Sequence, residues 1–192
     1  MNRSRIGLGV IAVATAGILA LAGCSQGAGD AGGSGGGDTS AIITTNGSEP
    51  QSALIPTMVN EVGGGKILDA MFAGLVYYDA KGAPHNDIAT SIESNDAINY
   101  TIKIRDDAKF TDGTTVKAKN FVDAWNYGAA LDNAQLNSYL FEDIEGFSYD
   151  ESVPELSGLK VVDDTTFTVT LNKAASDFPL RLGYSAYFPL PD

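Results

Sequence analysis

Apolar and polar residues alternate most clearly in two segments of the chain. Tyr100, Ile102 and Ile104 are separated by polar residues, which predicts a strand at residues 100–105 with one buried face. Residues 166–171 have the same period, with threonines between the apolar positions. Four shorter segments are also predicted as strands: residues 41–45, 75–78, 159–162 and 185–188.

A helical period follows the first of these two strands. One apolar stripe recurs at spacings of three and four in residues 117–131: Ala118, Phe121, Val122, Trp125 and Ala129. A second helix is predicted to begin at Lys66, weaker helical patterns occur at residues 137–146 and 176–182, and residues 88–94 are ambiguous. Because strands and helices do not alternate regularly, the pattern predicts an α/β fold of the mixed α+β kind, with a mixed sheet and flanking helices.

The first 40 residues have a different composition. Arg3 and Arg5 precede an uncharged apolar run at residues 6–22, which is long enough for a signal sequence and short for a transmembrane helix. Small residues then lead to Cys24, the only cysteine. This pattern resembles a bacterial lipoprotein signal, which implies removal of residues 1–23 and lipidation of Cys24. Residues 24–40 are rich in glycine and predict a flexible tether outside a membrane.

The charge balance is acidic. The chain has 24 acidic and 12 basic residues, a formal net charge of −12. An acidic surface repels phosphate backbones, so we expect no nucleic-acid partner. The excess of acidic residues is more typical of a soluble, solvated surface than of an acidic site.

Asp106, Asp107 and Asp112 lie close together between the predicted strand and helix. A calcium loop is excluded because its other ligand positions hold Ala108, Phe110 and Lys119 when Gly113 takes the invariant glycine position. A pair of catalytic carboxylates needs to face across a cleft, whereas aspartates in a turn have an ordinary role. We therefore interpret residues 111–114 as a turn. The acidic run at residues 142–145 is interpreted as a solvated face rather than an ion site.

The sequence contains few residues that could catalyse a reaction or bind a metal. His85 is the only histidine, and no nucleophile-elbow motif accompanies it. Zinc needs several histidine or cysteine ligands, which residues 41–192 lack. The sequence therefore predicts no enzyme activity, no metal and no cofactor.

One segment is suited to a ligand. Asn60, Glu61 and Val62 precede a run of three glycines and a predicted helix. Glycines let backbone N–H groups approach a ligand, and a helix N-terminus favours an anionic group. A loop that only leads into a helix is an equal alternative, and a phosphate-binding loop is excluded because Asn60 and Ile67 stand at its required glycine and hydroxyl positions.

Several blocks of the chain resemble the extracellular solute-binding proteins of family 5, the oligopeptide- and dipeptide-binding lipoproteins of ABC importers. The most specific block is residues 100–125, in which a strand ending in arginine leads through an aspartate–glycine turn into a helix with Phe121, Val122 and Trp125. The other blocks are residues 46–56, 66–79 and 159–171.

The resemblance implies a two-lobed binding protein with the fold of type II periplasmic binding proteins. Residues 41–192 are expected to be its N-terminal portion, with a first lobe, an inserted subdomain at about residues 75–160 and no second lobe, so a truncated chain or fragment is expected. The positions that correspond to the family's ligand-facing loop are Asn60, Glu61, Val62, Gly63 and Gly64. Expected partners are a peptide, ABC permease subunits and the membrane, through Cys24, with the protein a monomer on the outer face of the cytoplasmic membrane.

One feature departs from the family's pattern. Lys117 and Lys119 stand at the start of the long helix, where positive charge opposes the helix dipole by a few tenths of a kcal/mol each, roughly. The alternative function is a surface lipoprotein that acts as a sensor or interaction module without transport, or a fragment with no function of its own.

Overall fold

The computed structural model describes residue 42 and residues 44–192. Cys24, the predicted signal at residues 1–23 and the tether at residues 24–40 lie outside this part. Within it, none of the helices is both long enough and apolar enough to cross a membrane. Residues 44–192 pack as one unit.

The helices and strands fall in the following order along the chain. The helices are α1 (Val62–Met71), α2 (Ala118–Ala129) and α3 (Phe178–Arg181), with single 3-10 turns at Leu131–Asn133, Ser138–Phe141 and Ser185–Tyr187. The strands are β1 (Val76–Tyr78), β2 (Pro84–Asn86), β3 (Ala89–Glu93), β4 (Asn99–Ile104), β5 (Leu159–Asp163) and β6 (Thr166–Thr170). The predicted combination of helices and strands in an α/β fold is confirmed.

The strands form a two-stranded sheet, β1–β2, and a four-stranded sheet in the order β3–β4–β6–β5. The prediction of a mixed sheet was wrong, because every pairing in the described residues is antiparallel. For β3–β4 and β5–β6 the reason lies in the connections. β3 is joined to β4, and β5 to β6, by turns too short to carry the chain back for parallel pairing.

The buried faces of the two central strands agree with the alternation in the sequence. In the register of β4 and β6, Tyr100 pairs with Val169 and Ile102 with Phe167, and all four side chains are buried. Helix α2 covers this face, with the ring of Trp125 5.6 Å from that of Phe167. The apolar stripe predicted for this helix therefore forms the centre of the core.

The two lysines at the start of α2 have compensating partners. The backbone N–H of Lys117 donates to Oδ1 of Asn120 at 2.8 Å, and its ammonium group lies 3.0 Å from Asp164. Lys119 pairs with Asp123 one turn along the helix. These contacts offset the unfavourable position of the lysines in the helix dipole.

Three local predictions were wrong or only partly right. Ile42, Thr44 and Thr45 are exposed and belong to no strand. Ser185–Tyr187 form a 3-10 turn where a strand was predicted at residues 185–188, since these four successive residues are all buried and a strand with one buried face cannot bury them all. Only Ser138–Phe141 of the predicted helix at residues 137–146 is helical.

Candidate ligand-contacting site at the start of helix α1

Helix α1 begins four residues before its predicted start at Lys66, so the three glycines form its first turn and not a loop. Glu61 is the N-cap residue. Its Oε1 accepts hydrogen bonds from the N–H of Gly64 at 2.8 Å and of Gln51 at 3.2 Å. A carboxylate in this position satisfies an N–H group that the first turn leaves unpaired. This cap and the burial of the turn compensate for the low helix propensity of glycine.

The five predicted ligand-contacting residues are contiguous, but they do not share one environment. Asn60 is exposed and Val62 is 73% exposed, whereas Gly63 and Gly64 are buried and Glu61 is half-buried. Only Asn60 and Val62 therefore present their side chains freely to a ligand.

Packing explains two of the glycines without a ligand. A Cβ atom on Gly63 would lie 2.5 Å from Oγ of Ser48. A Cβ atom on Gly64 would lie 2.5 Å from Oε1 of Glu61 and 2.7 Å from Cγ1 of Val59. A segment that only leads into a helix, the alternative to a ligand site, therefore explains why residues 63 and 64 are glycines. It does not explain the exposed side chains of Asn60 and Val62.

The cap also changes the electrostatics expected at this helix end. The carboxylate of Glu61 already supplies the negative charge that a helix N-terminus attracts. A second anionic group from a ligand would lie close to it and be repelled. The site is therefore better suited to a neutral polar or apolar part of a ligand than to the anionic group predicted from the sequence.

A cavity of about 440 Å³ lies farther along α1. It is lined by residues from α1, β1, α3 and the segments around them: Asp69, Tyr78, Leu140, Arg181, Gly183, Tyr184, Ser185 and Tyr187. Burial raises the pKa of Asp69, and burial with the nearby Tyr139 and Asp69 charges raises the pKa of Tyr184. Burial likewise raises the pKa of Tyr187, whose hydroxyl donates to the carbonyl of Leu140 at 2.6 Å.

The cation in this cavity is already paired. Nη1 of Arg181 donates to Oδ2 of Asp143 at 2.6 Å, and Nη2 donates to Oδ2 of Asp177 at 2.9 Å. The hydrogen bond from Arg181 holds the pKa of Asp143 below its ordinary value against the opposing effect of burial, with Lys173 adding to it. Arg181 therefore organises the acidic residues of its own surroundings and is poorly placed to bind a ligand carboxylate.

The sequence patterns missed this cavity. Tyr139 and Tyr184 are about half exposed beside it; Tyr139 lies in the single 3-10 turn Ser138–Phe141, and Tyr184 lies in the irregular segment after α3. No apolar period marks these two positions, so their residue type, a large aromatic side chain in a segment without a clear period, was the available signal.

The other candidates have structural roles. Oδ1 of Asp112 accepts hydrogen bonds from the N–H and the hydroxyl of Thr114, which lower the pKa of Asp112, and Gly113 has a positive φ of 89°. Residues 111–114 are therefore the turn that the sequence predicts. His85 stacks on Tyr77 and lies 3.2 Å from Asp79 on the exposed β1–β2 hairpin. The described residues contain no cluster of three or more potential metal ligands.

Comparison with known proteins decides the family. The profile of the bacterial extracellular solute-binding proteins, family 5 (middle region), matches residues 83–191. The chain belongs to this family. It is 33% identical, over 99% of its length, to the periplasmic oligopeptide-binding protein OppA of Escherichia coli (strain K12) and covers 35% of that protein. It is 30% identical, over 90% of its length, to the oligopeptide-binding protein OppA of Bacillus subtilis (strain 168) and covers 33% of it.

Solved structures of family 5 relatives agree with this assignment. Listeria monocytogenes OppA bound to peptide superposes with a TM-score of 0.68 and 31% identity, over 72% of this chain and 28% of that one. Haemophilus influenzae OppA in complex with RPPGFSPFR gives a TM-score of 0.70 and 28% identity, over 76% of this chain and 29% of that one. The predicted family and type II periplasmic-binding-protein fold are confirmed. The chain spans about a third of the length of these curated relatives.

Proposed function

We propose that this chain takes part in capturing oligopeptides or dipeptides outside the membrane for delivery to an ABC permease. The observation that carries the proposal is membership of a family of solute-binding proteins whose similar members are named oligopeptide- or dipeptide-binding proteins. The role is one of binding and release and includes no chemical step on the peptide.

We assign the ligand contact to the start of α1, at Asn60, Glu61 and Val62, with Gly63 and Gly64 as the buried turn that supports them. Val62 offers an exposed apolar side chain, and Asn60 offers an exposed amide, both at the end of a capped helix. Extended peptides are commonly bound through their backbone amides with pockets for alternate side chains. A neutral, mixed apolar and amide surface suits that mode better than it suits a charged end of the peptide.

Calorimetric titration with a mixed set of di- to nonapeptides tests this assignment on the full-length protein. Val62→Glu places a charge where the proposal puts peptide, and we expect affinity to fall by at least about tenfold. Met71→Glu is the matched control, because Met71 is also exposed on α1 and lies about two and a half turns away, on the opposite side. Equal effects of the two changes, or no effect of either, would contradict the assignment. Recovery of the peptide intact by mass spectrometry checks that no reaction occurs.

We further propose that Cys24 is lipidated and holds the protein at the outer face of the cytoplasmic membrane. The support is the pattern of residues 1–24 described above. Cys24→Ser is expected to move the protein from the membrane fraction to the soluble fraction, and Ser25→Ala serves as the control that leaves it in the membrane. Retention of the Cys24→Ser variant in the membrane would overturn the anchor.

A second candidate function is peptide sensing without import. It is favoured by the similarity to the pheromone receptor PrgZ, with a TM-score of 0.71 and 28% identity. Uptake of a labelled peptide by cells that have or lack the gene separates the two functions. Import predicts uptake that depends on the gene, whereas sensing alone predicts unchanged uptake with a changed transcriptional response.

A further inference from the structure

The segment that leads into α1 is held by a second segment far away in the sequence. The hydroxyl of Thr57 donates to Oε1 of Gln135 at 2.9 Å. The backbone N–H of Asn137 donates to the carbonyl of Thr57 at 3.0 Å, and its side-chain Nδ2 donates to the carbonyl of Val59 at 2.7 Å. We call residues 135–137 the clasp. All three hydrogen bonds between the clasp and the leading segment, residues 57–59, are buried or end on buried residues.

The clasp is built around a strained position. Ala134, directly before it, has φ 49° and ψ 39°, in the left-handed region, which costs a non-glycine residue about 1–2 kcal/mol. The side chain of Gln135 donates back to the carbonyl of Asn133 at 2.7 Å, across this position. Strain of this kind persists only where the surrounding contacts determine the backbone conformation. Here those contacts are the hydrogen bonds between the clasp and residues 57–59.

The clasp also depends on a close approach at helix α2. A Cβ atom on Gly128 would lie 2.5 Å from Cγ2 of Thr57 and 2.7 Å from the ring of Phe141. Glycine therefore lets Thr57 lie directly against the helix that the core holds in place. Residues 57–59 are thereby packed against helix α2, whose apolar stripe lies in the core.

The side-chain amide of Asn137 has one satisfied and one unsatisfied end. It is fully buried, and its Oδ1 has no hydrogen-bond partner among the described residues. A buried acceptor without a partner costs about 1–3 kcal/mol, and an apolar side chain here would exchange the unpaired Oδ1 for an unpaired carbonyl of Val59. The bond from Nδ2 to Val59 does something an apolar residue cannot do, because it sets the position of the carbonyl immediately before Asn60.

We infer that Asn137 is a positioning residue for ligand binding, which acts by fixing Val59 and so the placement of Asn60, Glu61 and Val62. This inference rests on the proposed peptide-binding function and deepens it, since it assigns control of the site to a residue that does not touch the ligand. A displacement of about 1 Å in such a site is enough to weaken binding severely.

The test separates an effect of Asn137 on the placement of the site from an effect on the stability of the fold. Asn137→Leu removes the unpaired oxygen but also leaves the buried carbonyl of Val59 without its donor, so we expect thermal stability to fall no further than in Val169→Ala while peptide affinity falls about tenfold. Asn137→Ala is the second variant, in case leucine does not fit, and is expected to lose the same affinity. Val169→Ala in β6 is the matched control: it leaves a cavity in the core, lowers stability and keeps the affinity of the folded protein.

Hydrogen exchange gives a readout that does not depend on the peptide. The amides of Gly64 and Gly65, which donate to Glu61, are expected to exchange faster in both Asn137 variants and at the unaltered rate in a Val169→Ala sample under strongly native conditions. Unaltered affinity in both Asn137 variants overturns the inference and leaves the proposed function intact. If the unaltered protein binds no peptide of the set, the proposed function is overturned, and the positioning role of Asn137 in binding is overturned as well.

Discussion

The four-stranded sheet with helix α2 and the start of helix α1 are held in place by different interactions. In the sheet, apolar side chains from β4 and β6 meet in register and pack under Trp125, with few polar groups among them. At the start of α1, hydrogen bonds join residues ten and 78 positions apart in the chain. The sheet therefore depends on volume and buried area, and the site depends on the placement of single polar atoms.

The largest effect is expected from removing volume in the sheet region. Trp125 is fully buried and contacts the rings of Phe141, Phe167 and Tyr187. Trp125→Ala is expected to lower the free energy of unfolding by about 3–5 kcal/mol, as other large-to-small core changes do. Urea unfolding followed by circular dichroism measures it. Asp123→Ala, an exposed change on the same helix, is the control with a far smaller effect, and similar losses in the two would contradict this account of the core.

The glycines of α1 offer a matched pair for the site region. Gly64→Ala places a methyl group against Glu61 and Val59, and we expect a loss of about 1–3 kcal/mol. Gly65 has nothing within 4 Å of an added Cβ, so Gly65→Ala is expected to stabilise the helix by up to about 1 kcal/mol. Melting temperatures of the two variants should therefore move in opposite directions. A shift in the same direction would show that the first turn is not packed as described.

A smaller loss is expected at the helix cap. Glu61→Ala removes the side chain that accepts from Gly64 and Gln51, and an N-cap change of this kind costs about 1 kcal/mol. Glu49→Ala is the control in the same exposed segment. Thermal unfolding compares the two variants, and an equal melting temperature for both would remove the role of Glu61 as a cap.

The pairing of Asp143 predicts a dependence on pH. Because Arg181 holds the pKa of Asp143 below its ordinary value of 3.8, the pair stabilises the folded state above that pH and loses its effect as the pH falls through the lowered folded-state pKa. The difference in unfolding free energy between the unaltered protein and Asp143→Asn should be constant near neutral pH and narrow below pH 3.8. Asp150→Asn, on an exposed loop, controls for the loss of one carboxylate, and a narrowing of the same size there would count against the pair.

The smallest effect is expected at the aspartate–glycine turn. Since Asp112 is occupied with Thr114, added calcium should leave the melting temperature unchanged. An increase that disappears in Asp112→Ala would instead restore the calcium interpretation.

Prediction from the sequence succeeded where a period exists. The strands at residues 100–105 and 166–171, the apolar stripe of α2 and the turn at Asp112 all agree with the structure. Prediction failed where burial is irregular, as at residues 185–188, where four residues in a row are buried and the first three form a 3-10 turn. The site stands between these cases, because its residues were predicted as a loop and are the capped first turn of a helix.

The sequence by itself determined which faces of the strands and of α2 are apolar. The period of side chains is a property of neighbouring residues and needs no knowledge of the path of the chain. Only the tertiary structure decided that Gly63 and Gly64 are buried against Ser48 and Val59, and that Asn137 bonds to the residue before Asn60. Such contacts join residues far apart in the chain, and their geometry exists only once the core has brought the two segments together.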